Sequence, residues 1–127
     1  MATEDAQAFI EKAQQSRGYT LEMHRIMAVE DLEWAKKYNE FIEATYTGQR
    51  LLDRKTKELL QIVVEAALRA DVEQIQAHMK MALEEGATPR EILEALEAVV
   101  GPMGFLAFRR GVQAWAAETG FQEPEGV

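Results

Sequence analysis

The sequence predicts an all-α protein built around a helical hairpin, and three observations carry that expectation. No period-2 alternation of apolar and polar residues occurs anywhere, so no half-buried strand is signalled. Apolar residues recur instead at three- and four-residue spacing, in segments bounded by helix start and stop signals. The stretch from Asp53 to Leu96 carries three such segments in succession with almost no linker. About six helices are expected in one domain over 1–127, with N-terminal helices over 1–48, a core over 50–118 and a tail over 119–127.

The first helix is expected over 1–17, capped by Thr3, with Glu4 and Asp5 at its positive end and Ala6, Phe9, Ile10 and Ala13 on one stripe. Gly18 ends it, and Tyr19 to Ala28 forms a short segment. A longer helix is expected from about Glu30 to Tyr46, placing Trp34, Tyr38, Phe41, Ile42 and Thr45 on one face, before Thr47-Gly48 stops it. The helix from about Asp53 to Leu68 is apolar round most of its circumference, through Leu59, Leu60, Ile62, Val63 and Val64. Such a helix must be buried, and a chain of 127 residues has difficulty covering it, so neighbouring subunits are expected to complete the burial. Its polar residues Arg54, Glu58, Gln61, Glu65 and Arg69 fall on one stripe. Asp71 can cap the next helix with Gln74 at capping-box spacing, and Gly86 suits its end. Thr88-Pro89-Arg90-Glu91 restarts the chain, with Thr88 at the N-cap, Pro89 at N1 and Glu91 at N3. Gly101-Pro102 is expected to end that helix, and a last one runs from Met103 to about Glu118. The methionines read as core filler, and the tail from Phe121 to Val127 carries no helical pattern.

Composition narrows the function. Hydrophobic residues make up 47% and charged residues 28%, the balance of a folded globular chain. With no cysteine, disulfides, thiolate nucleophiles and cysteine-based metal sites are all ruled out. Two histidines far apart, His24 and His78, lack any metal-ligand spacing, so neither a metal nor a cofactor is expected. The net charge of −8 repels phosphate backbones and argues against a nucleic-acid partner. No apolar run approaches the ~20 residues of a membrane span and no signal-peptide core opens the chain, which points to the cytoplasm.

The order of residues in the central stretch resembles the carboxymuconolactone decarboxylase family, which also contains the alkyl hydroperoxidase D type peroxidases. The matching pieces are Lys57-Glu58-Leu59, His78 twenty residues after Glu58, Ala82-Leu83, Glu85-Gly86-Ala87-Thr88, Glu91-Ile92 and Glu94-Ala95-Leu96. They cover roughly residues 50 to 110. The resemblance implies a helical-hairpin core, assembly into a homotrimer or hexamer, and a small anionic substrate such as a carboxylated lactone. One departure is large. Peroxidase-type relatives carry Cys-x-x-Cys ahead of the histidine, whereas here Ala70 stands where the first thiol would fall and Glu73 or Gln74 near the second. A thiol peroxidase is therefore not expected, and the activity implied is that of a lyase without metal or thiol.

The candidate catalytic residues are His78, Glu58 and Glu65. Histidine titrates near neutral pH and suits proton transfer, although a helix-edge histidine bonded to a backbone carbonyl is the structural alternative. In peroxidase-type relatives the glutamate at the place of Glu58 starts a proton relay that includes the histidine. With a tight turn at Arg69–Ala70–Asp71, Glu58 and His78 are offset by about 7 Å along the helix axes, so a bridging side chain or water is expected between them. The alternative is an Arg54–Glu58 pair on a solvated face. Glu65 lies closer in height to His78, and its own alternative is an exposed pair with Arg69. Gln61, between the two glutamates, can bridge them. Arg54, Arg109 or Arg110 would hold the substrate carboxylate that the resemblance implies. A non-catalytic oligomer or scaffold subunit is the reading from another class.

Overall fold

In the computed structural model, residues 3–126 are described; the first two residues of the helix expected over 1–17 and the last of the expected tail lie outside them. The described chain is all-helical, with eight α-helices and no strand among the described residues. It forms two compact units, residues 1–51 and 52–127.

The N-terminal unit begins with α1, Glu4–Arg17. Thr3 caps it by accepting from the Ala6 backbone N–H at 3.0 Å, and Gly18 ends it in the left-handed conformation at φ 94°. Then come α2, Glu22–Glu30, and α3, Leu32–Ile42, separated by Asp31, which caps α3. The short segment expected over 19–28 is thus a helix of its own, one reason the count exceeds six. The helix expected to run unbroken from Glu30 to Tyr46 instead changes pitch, its last turn Glu43–Thr47 being π-helical. Its expected apolar face is also looser than its spacing suggests. Trp34 and Phe41 are exposed, and Ala35 and Tyr46 are the residues this stretch buries.

The C-terminal unit is a four-helix core: α4 (Arg54–Ala67), α5 (Val72–Glu84), α6 (Pro89–Ala98) and α8 (Phe105–Thr119), with the single turn α7 (Val100–Met103) between the last two. Ile62, Ile75, Met79, Ile92 and Leu96 are completely buried at its centre. Asp53 caps α4 through the Thr56 N–H at 2.8 Å. Thr88 and Glu91 close a reciprocal capping box at 3.1 and 2.9 Å, with Pro89 in the first turn of α6. Gly111 lets α8 approach closely: a methyl group there would meet Leu96 Cδ2 at 2.6 Å and Ala66 Cβ at 3.3 Å.

Three local expectations are corrected. Gly101-Pro102 does not stop a helix; α6 already ends at Ala98, and the Gly-Pro pair lies inside α7, where an early-turn proline forfeits no internal hydrogen bond. Asp71 makes no side-chain cap, and the side chain of Gln74, its expected capping-box partner, turns inward to Glu65. Met23, read as core filler, is exposed, although Met79 and Met81 are buried.

The fourth helix is inverted relative to an ordinary amphipathic one. Its buried residues are Lys57, Glu58, Ile62 and Ala66, so charged groups share its inner face. Leu60, Val64 and Leu68, four residues apart, line its outer face and are 50%, 54% and 76% exposed. Its apolar circumference is therefore not covered within the C-terminal unit.

Candidate functional site

Glu58 and Glu65 are seven residues apart on α4, two helical turns, so their carboxylates project from the same face about 10 Å apart along the axis. His78 projects from α5 toward that face. Counted from the ends at the connecting turn, His78 lies six residues past Val72, while the midpoint of the two glutamates falls between five and six residues before Ala67. The imidazole is thus level with the gap between them, and its two nitrogens point to opposite sides. Nδ1 makes a 2.8 Å hydrogen bond with Glu58 Oε1, and Nε2 lies 3.0 Å from Glu65 Oε2. The offset between Glu58 and His78 is thus smaller than the expected ~7 Å: it is about half the distance between the two acids, roughly 5 Å, and the ring spans it. No water or bridging side chain is needed between Glu58 and His78. Gln61, expected as the bridge, makes no hydrogen bond to either glutamate among the described residues; the imidazole takes that place.

The chain of contacts extends at both ends. Arg54 Nε donates to Glu58 Oε2 at 2.6 Å, the expected i,i+4 pair, yet its face is not solvated: Glu58 is fully buried and the arginine side chain is 15% exposed. Gln74 Nε2 donates to Glu65 Oε1 at 2.6 Å. Glu65 therefore faces inward to α5, and no pair with Arg69 forms among the described residues. The result is a line of five side chains, Arg54–Glu58–His78–Glu65–Gln74, in which positive and negative groups alternate before a neutral amide closes it.

Two of these residues differ in how well they are held. Glu65 Oε2 is buried but makes no aligned hydrogen bond among the described residues, so its contact with Nε2 is an ion pair by distance that lies off the N–H direction. Burial by itself would drive the imidazolium to lose its proton and is the largest single influence on it. The bond to Glu58, the contact with Glu65 and the charges of both acids together outweigh that penalty and raise the His78 pKa to about 9. At neutral pH His78 is a buried cation between two acids. The three groups do not converge on a point where a metal could sit, since the ring occupies the space between the carboxylates.

The remaining arginines are placed differently. Arg110 Nη1 donates to the Arg69 and Ala70 carbonyls at 3.1 and 2.7 Å, so it fastens the α4–α5 turn. Arg109 is exposed on α8. Neither is joined to the His78 line, whereas Arg54 is part of it. Gln74 and the buried Lys57 were not singled out as site residues from the sequence. For Gln74 a signal existed: it precedes His78 by one helical turn and so shares its face. A shallow open groove lies in the N-terminal unit between Phe9, Trp34 and Tyr38, and none of the candidate site residues lines it.

A model of the carboxymuconolactone decarboxylase family matches residues 33–117, about two thirds of the chain. No curated protein and no solved structure matches it. The matched span contains every member of the line from Arg54 to Gln74 and all of the four-helix core except the last residues of α8. On that extent of agreement the chain belongs to the carboxymuconolactone decarboxylase family.

Proposed function

We propose that the protein is a lyase that removes carbon dioxide from a small carboxylated lactone or a related acid, with His78 as the proton donor. The observation that supports this most is the buried imidazolium held between Glu58 at 2.8 Å and Glu65 at 3.0 Å. Decarboxylation breaks the bond between the substrate carbon and its carboxylate, and the electron pair stays on that carbon, spread into the lactone carbonyl. A proton must then reach the same carbon. A histidine whose pKa stands at about 9 is almost fully charged at pH 7, so it supplies that proton and attracts the developing negative charge. Glu58 orients the ring, and a proton from water restores the cation after each turnover. Steady-state assays with 4-carboxymuconolactone are expected to show turnover by the unaltered protein and a loss of at least ~100-fold in kcat for His78→Ala, the usual scale of general-acid assistance. Equal rates for the two proteins would refute the assignment.

A non-catalytic role has its own supporting observation. His78 is 4% exposed, and the line from Arg54 to Gln74 joins the buried charges to one another, as a purely structural network would. The kinetic comparison above separates the two.

Self-association accompanies either reading. Leu60, Val64 and Leu68 on α4, with Phe105 and Leu106 at 71% and 59% exposure on α8, leave large apolar side chains in water. A second copy of the chain is the proposed cover, in a trimer or hexamer. Light scattering coupled to gel filtration is expected to give a multiple of the 14.4 kDa chain mass and to fall toward a single chain in Val64→Asp. A monomeric unaltered protein would overturn the assembly.

A further inference from the structure

The line from Arg54 to Gln74 meets solvent on both sides of His78, and the two sides differ in what they can do with a proton. On one side Arg54 keeps 15% of its side chain exposed, but a guanidinium stays charged throughout the pH range of a folded protein and passes no proton on. Behind it Glu58 is fully buried, with Arg54 Nε on Oε2 at 2.6 Å and His78 Nδ1 on Oε1 at 2.8 Å. A carboxylate with a cationic partner on each oxygen is held in place. On the other side Glu65 keeps 12% of its side chain exposed and lies 3.0 Å from Nε2 through Oε2. Its Oε1 is tied to the neutral amide of Gln74 at 2.6 Å, and its Oε2 receives no aligned hydrogen bond among the described residues. Of the side chains on the line that can bind or release a proton, Glu65 is the most exposed and the least firmly tied.

We propose that Glu65 is the proton carrier through which His78 is recharged from solvent. This rests on the reading of His78 as a proton donor. Once the ring has given a proton to the product it is neutral, and it keeps Nδ1–H on the Glu58 carboxylate. Glu65 then takes a proton from water or a buffer acid, leaving hydroxide or the buffer's conjugate base in solution. Rotation of its carboxyl group brings the protonated oxygen to Nε2. The O–H bond breaks, an N–H bond forms, and the imidazolium and the Glu65 carboxylate are both restored. Glu58 is unsuited to this task, because meeting water would take it away from two cations at once, whereas Glu65 gives up a single amide donor. The division of labour is then plain: Glu58 fixes the ring, and Glu65 refills it.

Two measurements on the full chain test this. The first needs no substrate: NMR of the His78 ring gives the rate at which the imidazolium exchanges its Nε2 proton with water. Glu65→Gln keeps the size of the side chain but cannot carry a proton, and the exchange is expected to slow by about tenfold or more. Charge alone would act in the opposite direction, since removing an anion beside the ring loosens its proton and speeds the exchange. Exchange that is unchanged or faster in Glu65→Gln overturns the proposal. Glu65→Asp is still an acid, one methylene shorter, and is expected to exchange faster than Glu65→Gln; equal rates for the two also overturn it. The second measurement follows the decarboxylation. In Glu65→Gln the first turnover uses the proton that His78 already holds and is expected to run within about threefold of the unaltered rate, with later turnovers slower by about tenfold or more. The record is then a burst of one product per chain. A first turnover slowed as much as the later ones puts Glu65 in the chemical step and overturns the carrier role. If the unaltered protein does not decarboxylate the lactone, the functional reading fails by itself, while the exchange rates still decide whether Glu65 carries the proton.

Discussion

The chain has two histidines, one in each compact unit, and their surroundings could hardly differ more. His24 sits in the first turn of α2, where Nδ1 accepts a 2.9 Å hydrogen bond from the backbone N–H of Leu21, three residues earlier. Around it are aromatic rings, Tyr19 and Tyr38, each with its centroid 6.3 Å away. His78 lies between two acids that are 20 and 13 residues away in sequence and come from a different helix. The first histidine helps to begin a helix. The second holds charge inside a core. The lesson is that residue type marks a candidate, but partners brought from a distance decide what it can do.

The largest effect that should separate the two regions is on stability. His78→Ala leaves Glu58 fully buried without its cationic neighbour on Oε1, and truncating one member of a buried pair costs about 3–5 kcal/mol. Urea unfolding of His78→Ala is expected to show a loss of that order; a loss below ~1 kcal/mol would mean the two histidines are energetically alike. A somewhat smaller effect is expected from pH. Because the folded pKa of His78 is raised from 6.5 to about 9, its stabilisation is complete below pH ~6.5 and is lost as pH rises through 9. At most about 3 kcal/mol is at stake, from the free energy of a pKa shift of that size. Unfolding curves at pH 6.5 and pH 10 would measure it, and in His78→Ala the same pH step should have little effect. The smallest effect belongs to His24→Ala, which removes one local hydrogen bond worth about 1 kcal/mol and is expected to leave turnover unchanged.

Much of the fold could be read from local chemistry. Thr3, Asp53 and Thr88 each cap the helix whose start they mark, because a short oxygen-bearing side chain next to a helix start needs only its own neighbours to act. Asp71 has the same chemistry and does not cap, and the side chain of Gln74, expected to close a capping box with it, bonds Glu65 across the helix interface. The π-helical turn at Glu43–Thr47 and the burial of charge on α4 likewise left no mark in periodicity. Of the site, the stripe of Arg54, Glu58 and Glu65 was visible in spacing, whereas His78 was placed nearer in height to Glu65 than the structure has it. What spacing could not reveal was the face this stripe takes. A stripe of charges on an otherwise apolar helix is ordinarily placed in water, and here it faces α5 because the imidazole neutralises it there. Glu58 and Glu65 looked like rival partners for His78 only while the ring was treated as a point, without its two nitrogens.

The turn between α4 and α5 deserves a last consequence. Arg69 takes the left-handed conformation there, at φ 54°, and Arg110 clasps the carbonyls of Arg69 and Ala70 from α8. The connection therefore acts as a ruler: its length sets how far along α4 the ring of His78 arrives. One residue inserted ahead of Val72 and wound into the helix would slide α5 by about 1.5 Å and rotate it by roughly 100°. The imidazole would then leave the gap between its acids, and the two carboxylates on α4 would lose the cation that sits between them. Relatives that differ in the length of this connection are expected to have rebuilt the acid pair with it.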